Sequence, residues 1–164
     1  MENHWTDQDI APNVMTYRRF KQIGSKLHFS NNELAPKEDR VFKIRELMDE
    51  LNSSFAAQNK PPRNVCIDET LVPFRGRTVM RQYNKSKSHH YGLKLFKLCS
   101  GNGYTHKFLL YSGKSDFSWK PDDVVLKLMD GYLERERILT TDNYYTSLPL
   151  ARELLKHKTY LVGK

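Results

Sequence analysis

Two adjacent prolines set the first constraint on this chain. Pro61 and Pro62 sit in the run NKPPR at 59–63. A proline pair cannot lie inside a helix, because each ring lacks an N–H and clashes with the preceding turn. The hydrophobic period changes across that run. Before it, apolar residues recur at helical spacing. Thr16 can cap a helix carrying Phe20, Ile23 and Leu27. A second helix is predicted to start near Pro36, with Glu38 and Asp39 in a first turn whose dipole favours acids. Its apolar face is Ile44, Leu47, Met48, Leu51 and Phe55.

After the prolines, short β-rich runs take over at 64–68, 91–99 and 104–112, the last two joined by a turn SGNG at 100–103 that predicts a hairpin. Pro121 opens a helix with the apolar stripe Val124, Val125, Leu128, Met129, Tyr132 and Leu133. A strand at 138–142 (ILTTD) follows. Ser147 and Pro149 then open a helix carrying Leu150, Ala151, Leu154 and Leu155, and a last strand covers 160–162. A hairpin followed by α-linked strands implies an α/β fold, a mixed sheet with helices on its faces. The expected division is a helical segment over 1–60 and the sheet-containing core over 61–164.

The 164 residues include 38% apolar and 12% aromatic ones, enough for a packed core. No stretch approaches the ~18 apolar residues of a membrane span, and MENHWTDQDI has no secretory apolar region. No membrane partner is therefore expected. Cys66 and Cys99 both fall in predicted strands, which favours reduced, buried thiols over a disulfide framework and places the chain in cytosol or nucleus. Neither has a second Cys or a His at zinc-finger spacing, so no zinc is expected.

The runs NVCID and ILTTD share one design. Each is a β-favouring run that ends on Asp, Asp68 in one and Asp142 in the other, and continues into Glu69 or Asn143. If the two strands are parallel neighbours, both aspartates emerge at one sheet edge, where sites in open α/β sheets gather. Two close carboxylates repel unless a proton or a metal ion lies between them. Hard oxygen ligands favour Mg²⁺ or Mn²⁺. Either Asp alone also reads as a turn former or helix cap, and Asp142 could cap through DNYYTS. Glu69 reads as a solvated strand end in preference to a metal contact through water, and Asn143 as support for the turn after Asp142 in preference to a part in the chemistry.

Between Thr70 and Ser115 there is no Asp or Glu, yet there are nine Lys or Arg: Arg75, Arg77, Arg81, Lys85, Lys87, Lys94, Lys97, Lys107 and Lys114. That segment alone exceeds the whole chain's net charge of +8, which arises from 27 Lys and Arg against 19 Asp and Glu. Such a surplus favours polyanion partners. Tyr83 and Tyr91 interleave with the charges and offer flat surfaces on which a base could stack. Arg75, Arg77, Arg81, Lys85, Lys87 and Lys94 are the candidate contacts to a DNA backbone, each neutralised phosphate adding roughly 0.9 to the salt slope. The bland alternative is a solvated loop and sheet face.

In its motifs the sequence resembles the transposases of piggyBac-type DNA transposons, in the form found in transposable-element-derived proteins. The matching stretches are HWTDQDIAPNVMTYRRFKQIGSKLHFSNN, IDETLVPFRGR, HYGLKLFKLC, LTTDNYYTSLPLARELL and YLVGK, in the family's order. The resemblance implies an RNase H-like core with an Asp-Asp-Asp metal site. Asp68 and Asp142 match its first two acids, on the first and the fourth strand. Asp68 would bridge two Mg²⁺ (or Mn²⁺) ions and Asp142 would ligate one. The implied reaction is hydrolysis of a DNA 3′ end, hairpin formation and strand transfer into a TTAA target, in the nucleus. Residues 1–60 match part of the family's dimerisation and DNA-binding region, so a homodimer is one expectation.

The family's third aspartate follows the strand that begins at Tyr160, and the chain ends at Lys164. The resemblance also implies a cysteine-rich, zinc-binding C-terminal domain, which the 164 residues are expected to lack. The expectation is therefore a truncated RNase H-like core, lacking the third acid and inactive in transposition by itself. The alternative is a non-catalytic DNA-binding or protein-interaction module using the basic segment 70–115. A third reading is an unstable remnant whose uncovered sheet face promotes aggregation.

Overall fold

The computed structural model describes residues 14–85, 87, 89–113 and 118–163. Residues 4–13 of the N-terminal motif, and Lys114 of the basic segment, lie outside them.

Among the described residues six strands form one sheet: β1 (Asn64–Pro73), β2 (Gln82–Tyr83), β3 (Tyr91–Ser100), β4 (Thr105–Leu110), β5 (Arg137–Thr141) and β6 (Thr159–Gly163). β1, β3 and β4 are antiparallel, with β2 beside the first residues of β3. β5 runs parallel to β1, and β6 parallel to β5, giving the order β2-β3-β1-β5-β6 with β4 also on β3. The mixed sheet predicted from the sequence is present. β1 runs five residues further than the predicted 64–68, because its antiparallel ladder with β3 continues to Pro73. The two-residue β2 gave no sequence signal, so the strand that leads into the second aspartate becomes the fifth.

α3 (Pro121–Met129) and α4 (Leu148–Lys156) cover one face of the sheet. Val124, Val125, Leu128 and Met129 from α3 and Leu150 and Leu154 from α4 meet Val65, Ile67, Phe96, Leu98 and Leu139 from the strands. Strand side chains alternate between faces. Val65 and Ile67 therefore turn to the helices, while Cys66 and Asp68 turn to the opposite face. Cys66 and Cys99 are direct partners across β1 and β3, and both are free thiols. Burial pushes the Cys66 thiol pKa up, which keeps it protonated and unreactive.

The N-terminal helices are α1 (Tyr17–Gly24) and α2 (Phe42–Gln58). Thr16 caps α1 by accepting from Arg19 N at 3.3 Å, as the sequence predicts, whereas Leu27 falls beyond the helix end. α2 begins at Phe42 rather than near Pro36. Asp39 diverts the chain first: its carboxylate accepts from Val41 N at 3.1 Å and from Arg45 Nη2 at 2.7 Å and Nε at 3.2 Å. α2 is fastened to the outer edge of β4. Asn52 donates to Phe108 O at 3.1 Å and accepts from Phe108 N at 2.8 Å, so one amide side chain satisfies an edge residue as a further strand would. Tyr104 OH donates to Phe55 O at 2.8 Å beside it.

His106, at the irregularity where β4 leaves β3's register, is fully buried, and neither ring nitrogen has a strong partner. Burial holds its pKa below the ordinary 6.5, which the nearby Asn59 backbone only partly opposes. The unfolded chain thus takes up a proton that the native protein refuses. The associated stability is complete above pH 6.5 and is lost as the pH falls toward the depressed native value. Urea midpoints recorded above and below that pH are expected to fall less in His106→Gln than in the wild type. Equal losses in the two proteins would assign the acid sensitivity to other groups.

Candidate functional site

β1 and β5 pair in parallel only at Asn64↔Ile138, Val65↔Leu139 and Cys66↔Thr140. Two residues further along each chain, the same register sets Asp68 across from Asp142. There β5 has ended and the chain turns away, while β1 continues along β3. The divergence leaves Asp68 exposed in mid-strand and Asp142 exposed one residue past its strand. The shared edge predicted from NVCID and ILTTD is thus formed, although Asp68 does not end its strand.

Each carboxylate is oriented by the backbone beside it. Asp68 Oδ1 accepts from Glu69 N at 2.7 Å, and Asp142 Oδ1 accepts from Tyr144 N at 3.1 Å. The Asp142 carbonyl accepts from Tyr145 N at 3.3 Å, Thr146 N at 3.1 Å and Thr146 Oγ1 at 2.7 Å. Thr146 Oγ1 also meets Thr141 Oγ1 at 3.0 Å, closing a tight turn. A side chain on Gly163 of β6 would collide with Thr146, so only glycine lets β6 lie against that turn. Ser147 caps α4 by accepting from Leu150 N at 3.1 Å and donates to Asp122 Oδ1 at 3.1 Å.

Glu69 is not a solvated strand end. Alternation turns it to the helix-covered side, where its Oε2 accepts from the fully buried Tyr145 OH at 3.1 Å. Burial, and then the charges of Glu69, Asp142 and Asp68, push the Tyr145 pKa far up, so its hydroxyl remains a donor. This tyrosine ties the turn after Asp142 to β1. Sequence reasoning missed it, although counting alternate residues from Val65 would have separated Asp68 from Glu69. Lys97, the cross-strand partner of Asp68, was also not singled out as part of the site.

The six candidate basic residues divide by environment. Arg75, Arg77 and Lys85 are exposed. Arg81 is also exposed, with its guanidinium 5.1 Å from the Tyr91 ring centre. Tyr91 is the register partner of Tyr83, at a ring separation of 5.0 Å, and both rings are more than half exposed. Lys87 Nζ lies 4.0 Å from Glu69 Oε1. The Lys94 ammonium sits 4.7 Å from the Phe96 ring centre and 5.3 Å from that of Tyr144, which occupies it with aromatic faces.

Two hard oxygen donors at one register position, each with a carboxylate oxygen beyond its backbone hydrogen bond, suit a divalent cation that takes its remaining oxygens from water or phosphate. Among the described residues, no group of three His, Cys, Asp or Glu converges.

Comparison with known proteins sets this geometry in context. The Transposase IS4 family profile matches residues 2–164. The human PiggyBac transposable element-derived protein 3 is 26% identical over 163 residues, covering 92% of this chain and 28% of that protein. The human Chimeric ERCC6-PGBD3 protein is likewise 26% identical, with 92% of this chain and 15% of that protein covered. Among solved structures, a piggyBac transposase synaptic complex with hairpin DNA superposes with a TM-score of 0.85 at 28% identity, over 96% of this chain and 35% of the other. The chain thus spans less than a third of the length of these curated relatives.

Proposed function

The chain belongs to the Transposase IS4 family and is of the piggyBac type, and from that premise we propose that it is a DNA-binding, divalent-cation-binding core of RNase H-like design. In this reading Asp68 and Asp142 hold one Mg²⁺ or Mn²⁺ between them, and the protein binds DNA in the nucleus. The observation that carries the proposal is the β1–β5 register, which sets the two acids across from each other where the strands diverge. When bound, the cation would supply charge stabilisation at a scissile phosphate. The chain's own residues orient the carboxylates through the Glu69 and Tyr144 amides and hold the turn through Tyr145.

Arg75, Arg77 and Lys85 would take backbone phosphates, and the Tyr83–Tyr91 pair would offer a stacking surface. The described residues supply two acids where a pair of ions needs a further ligand. The 164-residue polypeptide is accordingly expected to bind cation and duplex without cleaving or joining strands. Incubation with supercoiled plasmid and Mg²⁺ or Mn²⁺ tests this. Nicking that needs the metal and vanishes in Asp68→Asn would overturn the inactivity and retain the site.

The DNA contacts have their own test. Arg75→Gln and Arg77→Gln are each expected to weaken duplex binding to a similar degree for all sequences, and to lower the salt slope by about 0.9 per lost phosphate contact. A slope unchanged in the double variant would remove this loop from the interface. Duplex binding that is indifferent to Mg²⁺ and to Asp68→Asn would instead favour a purely non-catalytic binding module.

A further inference from the structure

At the opposite end of the sheet, β1 and β5 begin beside the double proline. Ile138 N donates to Arg63 O at 2.9 Å there, so Arg63 stands just ahead of β1 and next to Arg137, the first residue of β5. Pro61, Pro62, Arg63, Arg135, Glu136 and Arg137 line a cleft of about 270 Å³. From Arg63 to Asp68 is five residues along an extended strand, about 17 Å, so this cleft is separate from the aspartate pair.

Arg137 is only 4% exposed. Its Nη1 donates to Tyr132 O at 2.7 Å and its Nη2 to Pro61 O at 3.2 Å, while its Nε has no hydrogen-bond partner among the described residues. Both partners are neutral carbonyls. Among the described residues no carboxylate forms an ion pair with Arg63, Arg135 or Arg137. Glu136, on the rim, offers Arg63 only its backbone oxygen, at 3.3 Å. A guanidinium cannot shed its proton inside a protein, and a buried charge without a counter-charge is costly. The Tyr132 ring, its centre 6.0 Å from the Arg137 guanidinium carbon, offsets part of that cost, while two further arginines lining the same cleft add positive charge that an anion would neutralise. Guanidinium forks match the geometry of tetrahedral oxyanions, phosphate above all.

We propose that the cleft formed by Arg63, Arg135 and Arg137 is a phosphate-binding site, at the far end of the strands from Asp68 and Asp142. Arg63 and Arg135, both exposed, are the side chains that grip the anion, and Arg137 supplies fixed positive charge from beneath. The phosphate group belongs either to a nucleic-acid backbone or to a free phosphate ion. The site is independent of the proposed cation and of the 75–85 loop.

Thermal unfolding of the full chain in inorganic phosphate, against chloride at equal ionic strength, tests the proposal. The wild type is expected to gain several degrees in phosphate, saturably. The Arg63→Gln/Arg135→Gln double variant, which leaves the buried Arg137 in place, is expected to lose most of that gain while unfolding in chloride near the wild-type temperature. No difference between the two salts in the wild type would overturn the site, as would an equal gain in the variant. Should the double variant fold poorly, the Arg137 Nε–H resonance of the wild type provides the second reading: a saturable shift on titration with phosphate supports the site, and none overturns it. Duplex binding then assigns the source. A several-fold weakening in the double variant, with phosphate competing, identifies a backbone phosphate, whereas unchanged affinity identifies the free ion.

Discussion

Asp68→Asn is expected to lower Mn²⁺ affinity at least about tenfold, about 1.4 kcal/mol or more, with little change in the cation-free protein. Both halves follow from the geometry. Asp68 is exposed and, among the described residues, its Oδ1 accepts from the neighbouring Glu69 amide alone, a bond the asparagine oxygen can retain. Removing one of two facing negative charges also relieves repulsion across the β1–β5 gap. Cation-free stability should therefore stay within about 0.5 kcal/mol of wild type, as for an ordinary surface change. Asp142→Asn should reproduce the effect, because the register gives the two acids equivalent places. Glu69→Gln should weaken the ion much less, since Glu69 faces the helix-covered side and engages Tyr145. Titration of each variant followed by Mn²⁺ paramagnetic resonance distinguishes these outcomes. Retained affinity in Asp68→Asn would place the ion elsewhere, and a larger loss in Glu69→Gln than in Asp68→Asn would exchange the two roles.

Where local rules act, the sequence was legible. The double proline marks the change from helix to sheet, Thr16 and Ser147 cap their helices, and Pro121 stands at the start of α3. Asp142 was legible because it directly follows the end of β5, whereas Asp68 showed only as an acid closing an apolar run, in the middle of β1. What escaped depends on partners distant in sequence. β1 extends past Asp68 because β3 accompanies it as far as Pro73, a ladder between residues some twenty to thirty apart. α2 starts late because Asp39 binds Arg45 and Val41 before the helix begins. The charge-based reading of the basic segment could not foresee that Lys94 packs against Phe96 and Tyr144 while Arg75 stays in solvent. The arginine cleft was silent for the same reason, since Arg63 and Arg137 meet only through the parallel pairing of β1 with β5.

Tyr145 joins the stability of the core to the geometry of the site, and its substitution is expected to have the largest effect on folding. Its ring is fully buried, edge-on to Phe96 at 6.3 Å and to Tyr144 at 4.9 Å. Truncation to alanine should cost about 3–5 kcal/mol, the range for large aromatic side chains in cores. For a chain of this size each kcal/mol moves Tm by about 2–4 °C. Tyr145→Phe keeps the ring and loses only the hydroxyl bond to Glu69, an acceptor that is charged and half-buried, for about 1.5–3 kcal/mol. The two variants should then part in cation binding. Phenylalanine still fills the core and leaves the Asp142 carbonyl its bonds from the amides of residues 145 and 146, so affinity should remain within about threefold, or 0.7 kcal/mol. Alanine removes the packing that anchors this turn to β1, and affinity should fall together with Tm. A Tyr145→Ala protein that melts with the wild type would exclude Tyr145 from the core, and one that binds Mn²⁺ at wild-type strength would show that Asp142 needs no such anchor.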